Sequence, residues 1–213
     1  MTISTLLQFH PALAVCRDAI ESARDLLVTT YRAEGKLLLC GNGGSAADCD
    51  HIAGELLKGF LSHRPLSEED CLNLADTLPE GEADPDLYLL AGQLQGGLPA
   101  ISLPSQAAAL TAVCNDTDPA LVFAQQVWAL GQARDTLVCL STSGNSRNVV
   151  LAAKTARAKG LRVLALTGEA DSALSALADV TVQVPAADTY RVQEYHLPVY
   201  HYLCAAVEEE FFS

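Results

Sequence analysis

Residues 36–45, Lys36-Leu37-Leu38-Leu39-Cys40-Gly41-Asn42-Gly43-Gly44-Ser45, decide the fold. The first half is continuously apolar rather than alternating, as a strand buried on both faces of a parallel sheet should be. The second half is a glycine-rich turn, and residues 46–60 beyond it have helical length. Strand, glycine turn and helix make the opening of a βαβ unit. Working outward, similar apolar runs recur at PAISLP (99–104), DTLVCLSTS (135–143) and LRVLALTG (161–168), with a weaker one at VTVQVP (180–185). Helix-length stretches at 106–130 and 147–159 separate them, and 3–34 and 190–210 flank the set. This alternation calls for right-handed crossovers and a covered sheet. The fold class is therefore α/β, doubly wound.

The chain has 213 residues, half of them hydrophobic and 18% charged, enough for a sizeable core and too apolar for a disordered regulator. One domain over 1–213 is expected, with a surface insertion at 62–97. Glu68, Glu69, Asp70, Asp76, Glu80, Glu82, Asp84 and Asp86 crowd that insertion, and Pro79, Gly81, Pro85, Gly96 and Gly97 punctuate it. Leu72, Leu74, Leu87, Leu89 and Leu90 give it material for two short helices. It reads as a solvated excursion, or as a lid or oligomer contact. The formal charge of −13 argues against a nucleic-acid or anionic-membrane partner. No apolar run reaches the roughly 18 residues of a membrane span, and the N-terminus lacks the basic start of a signal peptide. Seven cysteines without a CxxC pair, several inside apolar runs, read as reduced thiols of a cytoplasmic core.

Four features could carry chemistry. Gly41-Asn42-Gly43-Gly44-Ser45 lets the backbone approach a ligand at a helix N-terminus, where amide groups favour anions. It is neither the dinucleotide fingerprint nor a Walker loop, so no nucleotide is expected; a plain tight turn is the simpler alternative. Ser141-Thr142-Ser143-Gly144-Asn145-Ser146 clusters four hydroxyls at a second strand end. N-capping would need one hydroxyl; four can cradle a phosphate. Two such loops on one sheet should flank the crevice where open α/β sheets bind ligands. His51 and Glu55, four apart, share a helix face as a metal or acid–base pair would, or as a surface contact would. Gln193, Glu194, His196 and His201 lie on the last helix, and imidazoles with oxygen partners suit zinc or a similar divalent ion. Spacing alone does not say that the two helices meet.

CGNGGSAADCDHIAGELLKGF, ending at Phe60, resembles the first signature of the SIS (sugar isomerase) family, in its phosphoheptose isomerase branch. The resemblance continues through Val113-Cys114-Asn115-Asp116, LSTSGNSRNV, VLALTG and Asp188–Glu194, covering the chain except 62–97. It implies a five-stranded parallel sheet, a homotetramer with sites near subunit interfaces, and conversion of sedoheptulose 7-phosphate to D-glycero-D-manno-heptose 7-phosphate. By the same resemblance His51, Glu55, Gln193 and His201 are ligands of one zinc or other divalent ion per site, and Glu55 and His201 the acid–base pair. Substrate contacts fall on Asn42, Gly43, Gly44 and Ser45, on Asn115 and Asp116, on Ser141, Thr142, Ser143 and Ser146, and on Gln193. The partner is a phosphorylated sugar.

The chain departs from that pattern in three places. Lys58-Gly59-Phe60 stands where the family continues toward Gly-Arg-Phe or Gly-Arg-Tyr, and lysine does not reproduce a bidentate arginine. Pro198, between Gln193 and His201, predicts a lost helical hydrogen bond and a kink. The insertion is the third. Other readings are an isomerase of another phosphosugar, a non-catalytic phosphosugar-binding protein, and a relative that associates with a replication initiator.

Overall fold

The computed structural model describes residues 1–76 and 85–212. The chain opens with α1 (Ile3–Phe9), a short 3-10 helix (Pro11–Cys16) and α2 (Arg17–Arg32), and then enters β1 (Leu37–Gly41). Next come α3 (Gly44–Leu57), α4 (Glu68–Ala75), α5 (Pro85–Gln93), β2 (Ala100–Ser102), α6 (Ala107–Asp116) and α7 (Val122–Leu130). The second half runs β3 (Thr136–Leu140), α8 (Arg147–Ala158), β4 (Arg162–Thr167), β5 (Val180–Gln183) and α9 (Thr189–Phe212). The strands form one parallel sheet in the order β2-β1-β3-β4-β5.

Side chains alternate across a strand, so the apolar run of β1 serves two cores at once. Leu37 and Leu39 face one with α2, α3 and α9; Leu38 and Cys40 face the other with α7 and α8. On α2, Ile20, Ala23, Leu27 and Tyr31 recur at three- and four-residue spacing and are all buried, a stripe that docks the helix on the sheet. Cys40 and Cys139 are partners in the β1–β3 register, their sulfurs 3.7 Å apart as free thiols.

Three expectations change in detail. The stretch 106–130 is two helices, because Thr117 is extended and the Asp118 side chain accepts from the Ala120 amide to start a new turn at Pro119. The stretch 3–34 breaks at Pro11, whose missing N–H and fixed φ suit the first residue of a new helical segment. Pro198, by contrast, does not interrupt α9, which continues on both sides of it. Val192, Val199, Leu203 and Val207 are buried along that helix, and their packing outweighs one lost hydrogen bond.

In the insertion, α4 carries a capping box between Ser67 and Asp70, and its acidic first turn complements the helix dipole. The two short helices expected there are α4 and α5, and Leu72, Leu89 and Leu90 on them are exposed. The expected Pro79, Glu80, Gly81, Glu82 and Asp84 lie outside the described residues. Among the described residues, no helix is long and apolar enough to cross a membrane.

Candidate active site

The strand order places β2 on one side of β1 and β3 on the other. The sheet therefore reverses its winding between β1 and β3, and ligands of such sheets bind beyond the strand ends at that point. A cleft of about 270 Å³ lies there. Asn42, Gly43, Gly44 and Ser45 form one wall, Ser141, Thr142 and Ser146 the facing wall, and Gln193 and Thr189 of α9 close it.

Gly43 has φ 56°, which a side chain rarely tolerates. Gly44 is a glycine for room: a Cβ there would stand 2.5 Å from Gln193 Nε2. Ser146 occupies the N-cap of α8 yet its side chain makes no capping bond; its hydroxyl pairs with Ser141 Oγ at 3.2 Å. Capping thus does not account for the hydroxyl cluster. The two walls are stitched by reciprocal amide bonds, Asn42 Nδ2 to Asn148 Oδ1 at 2.9 Å and Asn148 Nδ2 to Asn42 Oδ1 at 2.8 Å. Asn148 escaped the sequence reading, since an asparagine one residue inside a helix carries no motif signal. Of the expected contacts, Ser143 is exposed and its Oγ accepts from the Asn145 amide. Asn115 and Asp116 end α6, paired with each other at 2.7 Å, and do not line the cleft.

Helices α3 and α9 do meet. His51 Nε2 lies 3.0 Å from Glu55 Oε1, and the rings of His51 and His201 are 5.0 Å apart. His201 Nε2 is buried without a partner, and burial, with His51 beside it, lowers the imidazole pKa against the opposing pull of Glu55. The ring is thus biased toward the neutral form. Phe60 packs against it at 5.5 Å. Tyr200 bridges His51 Nδ1 at 3.0 Å and Asp48 Oδ1 at 3.2 Å. Gln193 lies eight residues before His201 on α9, and its side-chain amide closes on Gly44 at the start of α3.

His196 and Glu194 lie apart from this group. His196 is fully buried, its Nε2 3.4 Å from the Thr167 carbonyl and its Nδ1 unpartnered; burial lowers its pKa to about 4. Glu194 pairs on the surface with Arg191. The Lys58 ammonium donates to the Gly59 carbonyl and does not line the cleft.

A buried ion pair fixes the end of α3. Arg64, fully buried, donates to Glu208 Oε1 at 2.8 Å and to the carbonyls of Leu56 and Glu55 at 2.8 and 3.1 Å. Its guanidinium also lies 4.7 Å from the centre of the Phe212 ring. Glu208 accepts in addition from the amides of Phe60, Leu61 and Ser62. Burial pushes the Glu208 carboxyl up, but those amides and Arg64 outweigh it and hold it below its usual range. Arg64 thus caps the helix that carries Glu55. A lone arginine before a proline gave no sign of this.

With this geometry in view, comparison with known proteins is specific. The SIS domain pattern matches residues 9–84 and 90–168. The chain belongs to the SIS domain family. Within it the branch is that of the phosphoheptose isomerases, and the enzyme class is isomerase. The phosphoheptose isomerase of Alkalilimnicola ehrlichii is 36% identical over 205 residues, 95% of this chain and 89% of that one. That of Thiobacillus denitrificans is 40% identical over 192 residues, 89% and 82% of the two chains. Among solved structures, phosphoheptose isomerase from Neisseria gonorrhoeae superposes with a TM-score of 0.74 at 32% identity, covering 97% of this chain and 94% of that one.

Whether the expected ligands suit a metal turns on the α3–α9 face. Among the described residues no three His, Cys, Asp or Glu side chains converge as a ready-made metal site. The donor chemistry nevertheless suits a divalent ion: a buried, unpartnered imidazole nitrogen, a second imidazole and a carboxylate, all within one pair of helices.

Proposed function

We propose that this SIS protein interconverts sedoheptulose 7-phosphate and D-glycero-D-manno-heptose 7-phosphate. The observation that carries the reading is the meeting of two features in one chain: a hydroxyl- and amide-lined cleft at the switch point, and Glu55 and His201 on the adjoining helices. The relatives' names support the choice of sugar.

The cleft holds the phosphate. Ser141, Thr142 and Ser146 donate hydroxyl hydrogen bonds, and the amides opening α3 and α8 add favourable potential without a lysine. Ketose–aldose conversion moves a proton between C1 and C2 through an enediolate, and Glu55 is the base that carries it. His201, biased toward the neutral imidazole, exchanges protons with the sugar oxygens. His51, Glu55, Gln193 and His201 would hold zinc or a similar divalent ion, which when bound supplies positive charge to the substrate oxygens. The homotetramer that the family resemblance implies belongs to the same reading. A cytoplasmic setting fits the free thiols and a phosphorylated substrate. The second reading is another phosphosugar, favoured by Lys58, whose ammonium turns onto Gly59 instead of the cleft.

The test is turnover of sedoheptulose 7-phosphate by purified protein with and without zinc, following the aldose. Metal-dependent product formation supports the proposal. Its absence in zinc-loaded protein overturns the choice of sugar.

A further inference from the structure

Asp48 sits one turn before His51 on α3, and the second of its carboxylate oxygens is buried with no hydrogen-bond partner. Its other oxygen meets the hydroxyl of Tyr200, which is buried in α9 and reaches across to α3. A half-buried carboxylate with one oxygen buried and unpartnered is costly and calls for a role.

The role follows from counting protons. A carboxylate only accepts, so the single proton of the Tyr200 hydroxyl points at Asp48 Oδ1, 3.2 Å away. Toward His51 the hydroxyl then offers a lone pair, and at 3.0 Å it accepts from Nδ1–H. With the proton on Nδ1, the neutral imidazole keeps its lone pair on Nε2. Nε2 faces Glu55 Oε1 at 3.0 Å, two acceptors in contact that only a proton or a cation between them would reconcile.

We propose that Asp48 and Tyr200 are positioning residues that hold His51 in its Nδ1–H tautomer, so that Nε2 and Glu55 together present two lone pairs to a divalent cation. This rests on the reading of His51 and Glu55 as metal ligands, and it adds the residues that set the ligand's orientation. Outer partners of this kind are general at metal-bound histidines, and losing one typically weakens metal affinity about 10- to 100-fold.

The tautomer is open to direct measurement. Two-bond proton–nitrogen correlation spectra of metal-free, nitrogen-15-labelled protein at alkaline pH, with His51→Gln used for assignment, should show a protonated Nδ1 and a bare Nε2. In Tyr200→Phe, which keeps the ring and removes only the hydroxyl, the proton should move to Nε2, toward Glu55. Zinc affinity, read by competition with a chromogenic chelator, should fall about 10- to 100-fold in the same variant. A wild-type Nε2–H tautomer, an unchanged tautomer in Tyr200→Phe, or equal zinc affinity in the two proteins overturns the proposal. Should Tyr200→Phe not fold, Asp48→Asn decides by the same two readings. Wild-type protein that shows the Nδ1–H tautomer but binds no zinc would remove the metal reading and leave the assignment of Asp48 and Tyr200 as positioning residues standing.

Discussion

The cleft at the ends of β1 and β3 and the face shared by α3 and α9 adjoin each other, yet they are built from opposite materials. The cleft is backbone, glycine and hydroxyl, held by neutral bonds such as the Asn42–Asn148 pair. The helix face is titratable side chains backed by buried charge, from Asp48 and Tyr200 to Arg64 and Glu208. Neutral dipoles bind an anion without adding charges that could titrate. Moving protons needs groups that titrate, and these need a buried scaffold to hold them. Variants in the two regions should therefore fail in different ways.

The largest effect belongs to Glu55→Gln. With the base gone, kcat should fall roughly 100- to 10,000-fold, the range of a positioned acid–base group, while the thermal midpoint stays close to wild type. A residual rate near wild type would remove Glu55 from the chemistry.

Arg64→Met comes next and should strike stability. It leaves Glu208 buried and facing no cation, a loss of about 3–5 kcal/mol in denaturant unfolding. The double variant Arg64→Met/Glu208→Leu should recover part of that loss, since removing both charges removes the unpaired one. Equal instability of single and double variants would show that the backbone bonds lost with the two side chains, from Arg64 to Glu55 and Leu56 and from the Phe60, Leu61 and Ser62 amides to Glu208, outweigh the unpaired charge.

How much of this was legible in the sequence follows the same division. The strands and the cleft were, because each is written locally: Leu37–Cys40 announces a doubly buried strand, and Ser141–Ser146 crowds more hydroxyls than a cap can use. His51 and Glu55 were visible as a pair for the same reason. That they meet His201 came only from the family resemblance and not from spacing, since it depends on two helices about 150 positions apart in the chain packing together. Tyr200, Asp48, Arg64 and Glu208 were missed because each looks ordinary on its own helix or loop; only burial and partner distances single them out. Asn115 and Asp116 show the converse, a motif match that the single chain leaves outside the cleft.

Helix α9 should also make the protein acid-sensitive, through a group outside the site. His196 is buried and neutral, with its pKa at about 4 against an ordinary value of 6.5. Between those values the unfolded chain binds a proton that the folded one refuses, so stability rises with pH through this window. It is fully present above pH 6.5 and lost by about 3 kcal/mol as pH approaches 4. Glu208 adds to the acid loss as pH falls into and through the ordinary carboxylate range, because its folded pKa is lowered. Denaturant titrations from pH 6.5 down to the top of that range therefore read two histidines of α9, His196 together with His201, whose pKa is also lowered. His196→Gln should remove the larger part of the dependence there. A slope that survives the substitution undiminished would mean another group sets it.

The smallest effect tests the cleft. Ser146→Ala removes one hydroxyl that faces the anion site and has Ser141 Oγ as its partner. Hydrogen bonds to charged groups contribute about 1.5–3 kcal/mol, so KM for the phosphosugar should rise roughly tenfold or more with kcat little changed. Folding stability should hold, because this hydroxyl caps nothing. The informative pair is this variant beside Glu55→Gln: binding lost without chemistry in one, chemistry lost without binding in the other. A kcat loss in Ser146→Ala as deep as that in Glu55→Gln would erase the distinction, and would mean that the hydroxyls act at the reacting carbons rather than at the phosphate.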